Sequence, residues 1–249
     1  MEYRIRGGGC KFRIISPEEA VKLEDSVIIL GSLMYETAMR EQLLNYGYPK
    51  ERICKPIRAA TIGWQYFDYF EPDESEIFVD GGCCNGETAL DFTKWATKGY
   101  DRIYSFEANP EAMLICEKTF KNNNLKGEVV NRGLWDKEET LHFNITNNPA
   151  GSSIKEIGEE IIKTTSLDKF LNGRRATFIK MDIEGAEYKA LIGSKKTIKK
   201  WHPRMAISIY HKPEDILEIP TLILNIESDY KFALRHYMSD HRETILYAY

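Results

Sequence analysis

Two acids, Asp80 and Glu107, stand at the ends of successive apolar runs, and a turn, Gly81-Gly82-Cys83-Cys84-Asn85-Gly86, follows the first. A buried strand ending on an acid, a glycine-rich turn into a helix, and a second strand ending on an acid suit a nucleoside laid across a parallel sheet. In that arrangement Glu107 accepts hydrogen bonds from the ribose hydroxyls. Gly82 and Gly86 let backbone approach the ligand, since a side chain there would collide with it. Asn85 and Thr88 line the turn, and Thr88 offers a hydroxyl donor. The free N–H groups of a helix opening near Gly86 suit a carboxylate. Asp80 suits a cationic amino group, directly or through water. Phosphate fits badly. Gly82-Cys83-Cys84 breaks G-x-G-x-x-G, and Gly86-Glu87-Thr88 puts an anion where a P-loop has lysine. The spacing D-x-G-x-x-x-G at Asp80, Gly82 and Gly86 points to a sulfonium cofactor, S-adenosylmethionine.

Other residues belong to the same edge. Asn109 either helps hold the ribose or caps the helix that Pro110 opens. Leu134 and Trp135 offer an apolar surface for adenine, or else belong to the core. Asp182 ends another strand at the face where such sheets bind ligands. Glu184 and Glu187 open the next helix, where acids also favour the helix dipole. His211 ends the strand after that, and an imidazole suits proton removal from a hydroxyl. Arg235-His236-Tyr237 either binds substrate oxygens or is structural. Asp182 could serve as one ligand of a metal, but no second and third acid is evident at neighbouring strand ends, so no metal is expected.

The elements that must position these residues alternate. Strands are expected at 76–80, 102–107, 127–132, 177–182 and 204–210, with helices near 86–98 and 110–122 and after Gly185. Ser166 caps a short helix, Leu167 to Leu171. Residues 140–145 suggest an extra hairpin strand and 146–153 a loop. A helical stretch from Pro213 is interrupted at Pro220. Two closing strands, 230–236 and 243–248, should be antiparallel. The expected fold is α/β, a class I methyltransferase sheet of five parallel strands plus a terminal antiparallel hairpin.

Residues 1–70 are expected to be an appendage with a connecting helix, and residues 71–249 the main domain. Residues 1–9 resemble a linker. A strand at 27–31, a helix from Met34 to Tyr46 and a strand at 52–54 form a unit too small for a core of its own. It must dock on the main domain or on a second copy, so a homodimer is a possible state. The aromatic segment 56–75 is either a packing helix or a wall of the substrate site.

The chain has 249 residues, 43% hydrophobic and 12% aromatic, enough for a sizeable core. Its net charge of −4 argues against a nucleic-acid surface. No apolar run approaches a membrane span and the start lacks a signal-peptide core. Five cysteines without a C-x-x-C pair are neither a disulfide framework nor a zinc site. Cys10, Cys54 and Cys116 read as small buried hydrophobes, and a reducing cytoplasm is the expected compartment.

The segments FVDGGCCNGETALDF (78–92), YSFEANPEAM (104–113), SLDKFL (166–171), IKMDIEGAEYKALIGSKKTI (179–198) and AISIYHKPEDILEIP (206–220), with YKFALRHY and ETILYAY near the end, resemble the FkbM family of S-adenosylmethionine-dependent methyltransferases. Residues 10–55 also resemble the strand–helix–strand that precedes the methyltransferase in many bacterial members, the tail of a Rossmann-like half-domain whose first strands would lie upstream of Met1. Cys83-Cys84 departs from the alanine and aromatic usual in the family. The resemblance implies methyl transfer to a hydroxyl of a sugar, glycan precursor or secondary metabolite, and the strand-end positions of Asp182 and His211 make them the expected catalytic residues. N-methylation, or a binding module with a vestigial pocket, are the alternatives.

Overall fold

A computed structural model describes residues 2–4, 11–13, 16–23, 28–29, 36–54, 65–144, 153–154, 160–237 and 242–249. Two compact units divide the chain: Met1–Thr61 with His236–Arg242, and Ile62–Arg235 with Glu243–Tyr249.

In the first unit, β1 (Glu2–Arg4) pairs antiparallel with β2 (Lys11–Arg13). The linker expected at 1–9 therefore contains a strand. Ser16 and Glu19 form a capping box on the short α1 (Pro17–Ala20). The expected strand–helix–strand follows as β3 (Ile28–Ile29), α2 (Glu36–Asn45) and β4 (Ile53–Cys54), with β3 and β4 parallel. Leu43, Tyr48 and Ile53 are its buried residues. Cys10, most of the segment 55–64 and the loop at 146–152 lie outside the described residues, as does the Cys54 side chain.

The second unit runs β5 (Glu76–Gly81), α3 (Glu87–Trp95), β6 (Tyr100–Phe106), α4 (Pro110–Asn122), β7 (Gly127–Val130), β8 (Gly133–Leu134), β9 (Thr140–Asn144), β10 (Ser153–Ile154) and β11 (Glu160–Thr165). It continues with α5 (Leu167–Leu171), β12 (Phe178–Met181), α6 (Glu187–Ile192), α7 (Lys195–Trp201), β13 (Arg204–Ser208), α8 (Asp215–Ile226), β14 (Phe232–His236) and β15 (Thr244–Ala248). Seven strands form the main sheet in the order β14-β15-β13-β12-β5-β6-β7. Five are mutually parallel, and β15 runs antiparallel to β13. Lys231 and Tyr249 exchange both backbone hydrogen bonds, 2.7 and 3.0 Å, as antiparallel neighbours do. The order reverses between β5 and β12, so the carboxyl ends of these strands flank the crevice where such sheets take ligands.

Every residue of β12 is buried and β5 is nearly so, because helices cover both faces. One side packs Val79, Ile179, Met181 and Ile207 into the aliphatic core. On the other, Phe78 stacks on Phe92 at 4.4 Å, with Phe67, Trp95 and Phe178 closing the cluster. Phe67 lies in a turn at 65–69, not in the expected helix, and is 1% exposed. Burying that ring does not require helical backbone.

One expectation gains a wider setting and one is corrected. The extra hairpin strand expected at 140–145 is β9, which pairs antiparallel with both β10 and β11 in a separate four-stranded sheet, β10-β9-β11-β8. The residue types of β11 hide its alternation, since Ile161 is 66% exposed beside buried Ile162. Pro220 does not interrupt α8. Its missing N–H forfeits one bond to the carbonyl of Ile216, while Ile219, Leu222 and Ile223 around it stay buried. Among the described residues no helix is long and apolar enough to cross a membrane.

Candidate active site

The turn after β5 is left-handed at three places: Gly82 (φ 74°), Cys84 (φ 46°) and Gly86 (φ 85°). A Cβ on Gly82 would lie 1.9 Å from the Asp182 carbonyl oxygen. One on Gly86 would press at 3.1–3.2 Å on Cys116 and Thr119 of α4. The protein's own packing therefore demands both glycines, before any ligand is considered.

Glu107 follows β6, and both its oxygens are engaged by backbone. Oε2 accepts from Cys84 N–H at 2.8 Å and Oε1 from Asn109 N–H at 2.9 Å. These bonds fix the carboxylate while leaving lone pairs on each oxygen for further donors. Burial raises its pKa, with the two backbone bonds opposing. Asn109 is the N-cap of α4, its Oδ1 accepting from Glu111 and Ala112 N–H. Asn85 Oδ1 likewise accepts from Glu87 N–H at 3.1 Å. Thr88 sits half-buried in the first turn of α3. Leu134 belongs to the core at 2% exposure, whereas Trp135 is half-buried with Lys189 Nζ 5.8 Å from its ring. Cys83 Sγ lies 3.4 Å from Cys116 Sγ.

Asp80 is fully buried and faces Lys180, a residue not anticipated from the sequence. Lys180 Nζ is 3.0 Å from Asp80 Oδ1 and donates to the carbonyls of Gly81 at 3.1 Å and Gly82 at 2.8 Å. Burial pulls the Lys180 pKa down, but the charges of Asp80 and Asp182 outweigh it and keep the ammonium protonated. The signal was present: a lysine inside the buried run Phe178-Ile179-Lys180-Met181 needs an anionic partner.

Asp182 and His211 follow the adjacent strands β12 and β13. His211 Nε2 is 3.4 Å from Asp182 Oδ1 and 3.5 Å from Glu184 Oε2, and Nδ1 is 3.1 Å from Glu187 Oε1. Glu187 is fully buried and also accepts from Ile183 N–H at 2.8 Å. Asp182 accepts from Tyr66 Oη at 2.7 Å and Tyr210 Oη at 3.1 Å. Neither tyrosine was singled out from sequence. Tyr66 sits in the aromatic segment that suggested a substrate wall, and Tyr210 is masked by its neighbour His211. Burial works against a charged His211, but the bond to Glu187 and the surrounding carboxylate charges prevail and raise it to about 9. Burial pushes Glu184 up to about 7 against the pull of His211, and Asp215 up to about 7 with Glu187 adding to it. Asp182, Glu187 and His211 each offer a ligand atom, all within 4.8 Å of one another. The fold thus supplies the partners for Asp182 that the sequence reading did not find.

Arg235 forms an ion pair with Asp68 at 3.0 Å, and its guanidinium lies 5.5 Å from the Tyr69 ring. His236 and Tyr237 belong to the other compact unit.

The FkbM methyltransferase domain model matches residues 80–234, more than half of the chain. Among solved structures, the chain is similar to methyltransferase FkbM from Methylobacillus flagellatus KT, at 25% identity and TM-score 0.63. That match covers 75% of this chain and 48% of the other, so the chain spans about half the length of that relative. An rRNA methylase from Streptococcus thermophilus matches at 13% identity and TM-score 0.46, covering 72% of this chain and 87% of its own. Aeropyrum pernix fibrillarin, crystallised with natively bound S-adenosyl-L-methionine, matches at 14% and 0.45, covering 72% and 69%. No curated protein matches the chain. With the motif turn, the reversed sheet order and the family match in agreement, the chain belongs to the FkbM methyltransferase family, and its cofactor is S-adenosylmethionine.

Proposed function

We propose that the chain is an O-methyltransferase that moves the methyl group of S-adenosylmethionine to a hydroxyl of a sugar, glycan precursor or secondary metabolite. In this reaction an oxygen lone pair attacks the methyl carbon. The carbon–sulfur bond breaks, its pair stays on sulfur, and the hydroxyl proton leaves. Little charge needs stabilising at the departing sulfur, so alignment is the main task. Alignment of this kind supplies about 7–11 kcal/mol.

The carrying observation is the contact between Gly82 and the Asp182 carbonyl, where no Cβ fits. It sets the acid of β12 directly against the cofactor turn of β5, with His211 on the next strand. A proton leaving an acceptor there meets three carboxylates and His211, whose raised pKa of about 9 lets it accept only at alkaline pH. In this reading Glu107 holds the ribose, the opening of α3 receives the methionine carboxylate, and Asp80 acts through Lys180 to shape the turn. The same carboxylates, Asp182, Glu184 and Glu187, would also attract an ammonium, which favours N-methylation as the second reading.

The test is S-adenosylhomocysteine formation against a panel of sugars, nucleotide sugars and amines. Turnover with hydroxyl acceptors alone supports the proposal, and turnover with amines alone replaces it with the second reading. Tight S-adenosylmethionine binding with no turnover on any acceptor would favour a binding module.

A further inference from the structure

We propose that Asp182, Glu187 and His211 form a binding site for a divalent first-row transition-metal ion. Their ligand atoms lie within 4.8 Å of one another. Metal–ligand bonds of about 2.0–2.2 Å place neighbouring ligand atoms roughly 3–4 Å apart. The imidazole gives an ion one nitrogen only: Nδ1 stands 3.1 Å from Glu187 Oε1, inside that range, and Nε2 stands 3.4 Å from Asp182 Oδ1, so either choice puts one carboxylate at bonding separation and the other within 4.8 Å.

A second observation is independent of the clustering. The His211 side chain is only 9% exposed and its ring nitrogens stand against carboxylates, Nδ1 against Glu187 and Nε2 against Asp182 and Glu184. Glu187 is fully buried, and its Oε2 has no hydrogen-bond partner among the described residues. Buried polar atoms are normally satisfied, and exceptions call for an explanation such as a bound ion. The charge balance points the same way. Three carboxylates face one imidazole, and Asp215 stands behind Glu187. Of the nearby lysines, Lys180 is held by Asp80 while its charge also acts on Asp182, and Lys212 donates to the Gly185 carbonyl.

The ligands are also oriented from behind. Tyr66 and Tyr210 hydroxyls hold Asp182, and the Ile183 N–H holds Glu187. Outer-shell bonds of this kind commonly fix ligand geometry. Two carboxylates with an imidazole suit manganese(II), iron(II) or zinc(II) better than magnesium or calcium, which favour all-oxygen sets. Asp182 is 20% exposed, which leaves an open side for a further oxygen ligand. Resting on the O-methyl reading, that ligand is the acceptor hydroxyl. Its O–H bond gives the proton to solvent, its oxygen takes the methyl carbon, and the sulfur keeps the pair of the broken bond.

The test uses the full chain, stripped with chelator and dialysed. Mn²⁺ is titrated by EPR of the free ion, and S-adenosylhomocysteine affinity is measured separately by calorimetry. One Mn²⁺ per chain is expected, with nitrogen modulation from the imidazole in pulsed EPR. E187Q and H211A should lose the ion, and Y66F should weaken it about 10–100-fold, all with cofactor affinity intact. No stoichiometric Mn²⁺, or bound Mn²⁺ without nitrogen modulation, overturns the site, and the latter measurement stands even where a ligand variant fails to fold. Mn²⁺ binding without cofactor binding would instead count against the methyltransferase reading and leave the metal site in place.

Discussion

Lys180 and Asp80 stand opposite each other in register on the parallel strands β12 and β5, with Nζ and Oδ1 3.0 Å apart and both side chains sealed from water. The ammonium has three protons and three acceptors: Asp80 and the carbonyls of Gly81 and Gly82. It thereby ties the acid of the first strand to the turn where the proposed function places the cofactor. The charge pair is structural chemistry placed at a functional edge.

Removing one partner should be costly. Asp80→Ala leaves a buried ammonium without its counter-charge, and the expected loss of unfolding free energy is about 3–5 kcal/mol. Lys180→Met should cost a comparable amount, because it strands Asp80 in an apolar site. Urea unfolding of both variants checks this. A loss below about 1 kcal/mol, the range of an exposed pair, would show that water reaches the site.

The two motif glycines should differ in severity. Both have φ near 80°, which costs a non-glycine residue about 1–3 kcal/mol. Only Gly82→Ala also drives a Cβ to 1.9 Å from a backbone oxygen, whereas Gly86→Ala meets side chains at 3.1–3.2 Å. Gly82→Ala is therefore the more destabilising substitution. Equal midpoints in urea for the two variants would contradict the steric account.

Much of this was readable beforehand because each part has a local cause. Buried parallel strands leave continuous apolar runs, and acids at strand ends have no packing use. What escaped reading depends on contacts distant in sequence. Glu187 looked like a first-turn acid until β13 brought His211 against it. Tyr66 belonged to a segment read as a packing helix or a substrate wall, and nothing local tied its hydroxyl to Asp182, 116 positions away. Lys180 was overlooked although its setting was anomalous. Gly82 has a second reason that no local signal carries, since the Asp182 backbone forbids a side chain there whatever the ligand. Pro220 misled because packing on three sides outweighed one missing hydrogen bond.

Glu107 should govern cofactor affinity. Hydrogen bonds to a charged group contribute about 1.5–3 kcal/mol, so Glu107→Ala should weaken S-adenosylmethionine binding by roughly that amount. The pH dependence has a definite sign. Burial raises the Glu107 pKa, and only the ionised form leaves every remaining lone pair free to accept. Affinity should thus be full at neutral pH and fall as pH drops, beginning above the range of an unperturbed glutamate. Calorimetry at several pH values is the check, and Glu107→Ala should abolish the slope.

The last prediction separates chemistry from support at His211. Under the proposed function, with neutral His211 as the base, a form that its raised pKa of about 9 confines to alkaline pH, His211→Ala should lower kcat by about 10²–10⁴-fold at alkaline pH while S-adenosylmethionine affinity stays nearly unchanged, since that reading places the cofactor on Glu107 and the β5 turn. A purely structural role forecasts the reverse. The imidazole stands among Asp182, Glu184 and Glu187, so its loss would leave these acids facing one another and lower the unfolding midpoint. The folded fraction would then turn over normally. Tyr66→Phe provides the control. It removes one bond to Asp182 without altering the charges around the imidazole, so it should act on kcat with little effect on stability. Turnover per folded molecule, measured beside the urea midpoint for both variants, decides the matter. Lost stability with intact turnover in His211→Ala would remove this residue from the reaction.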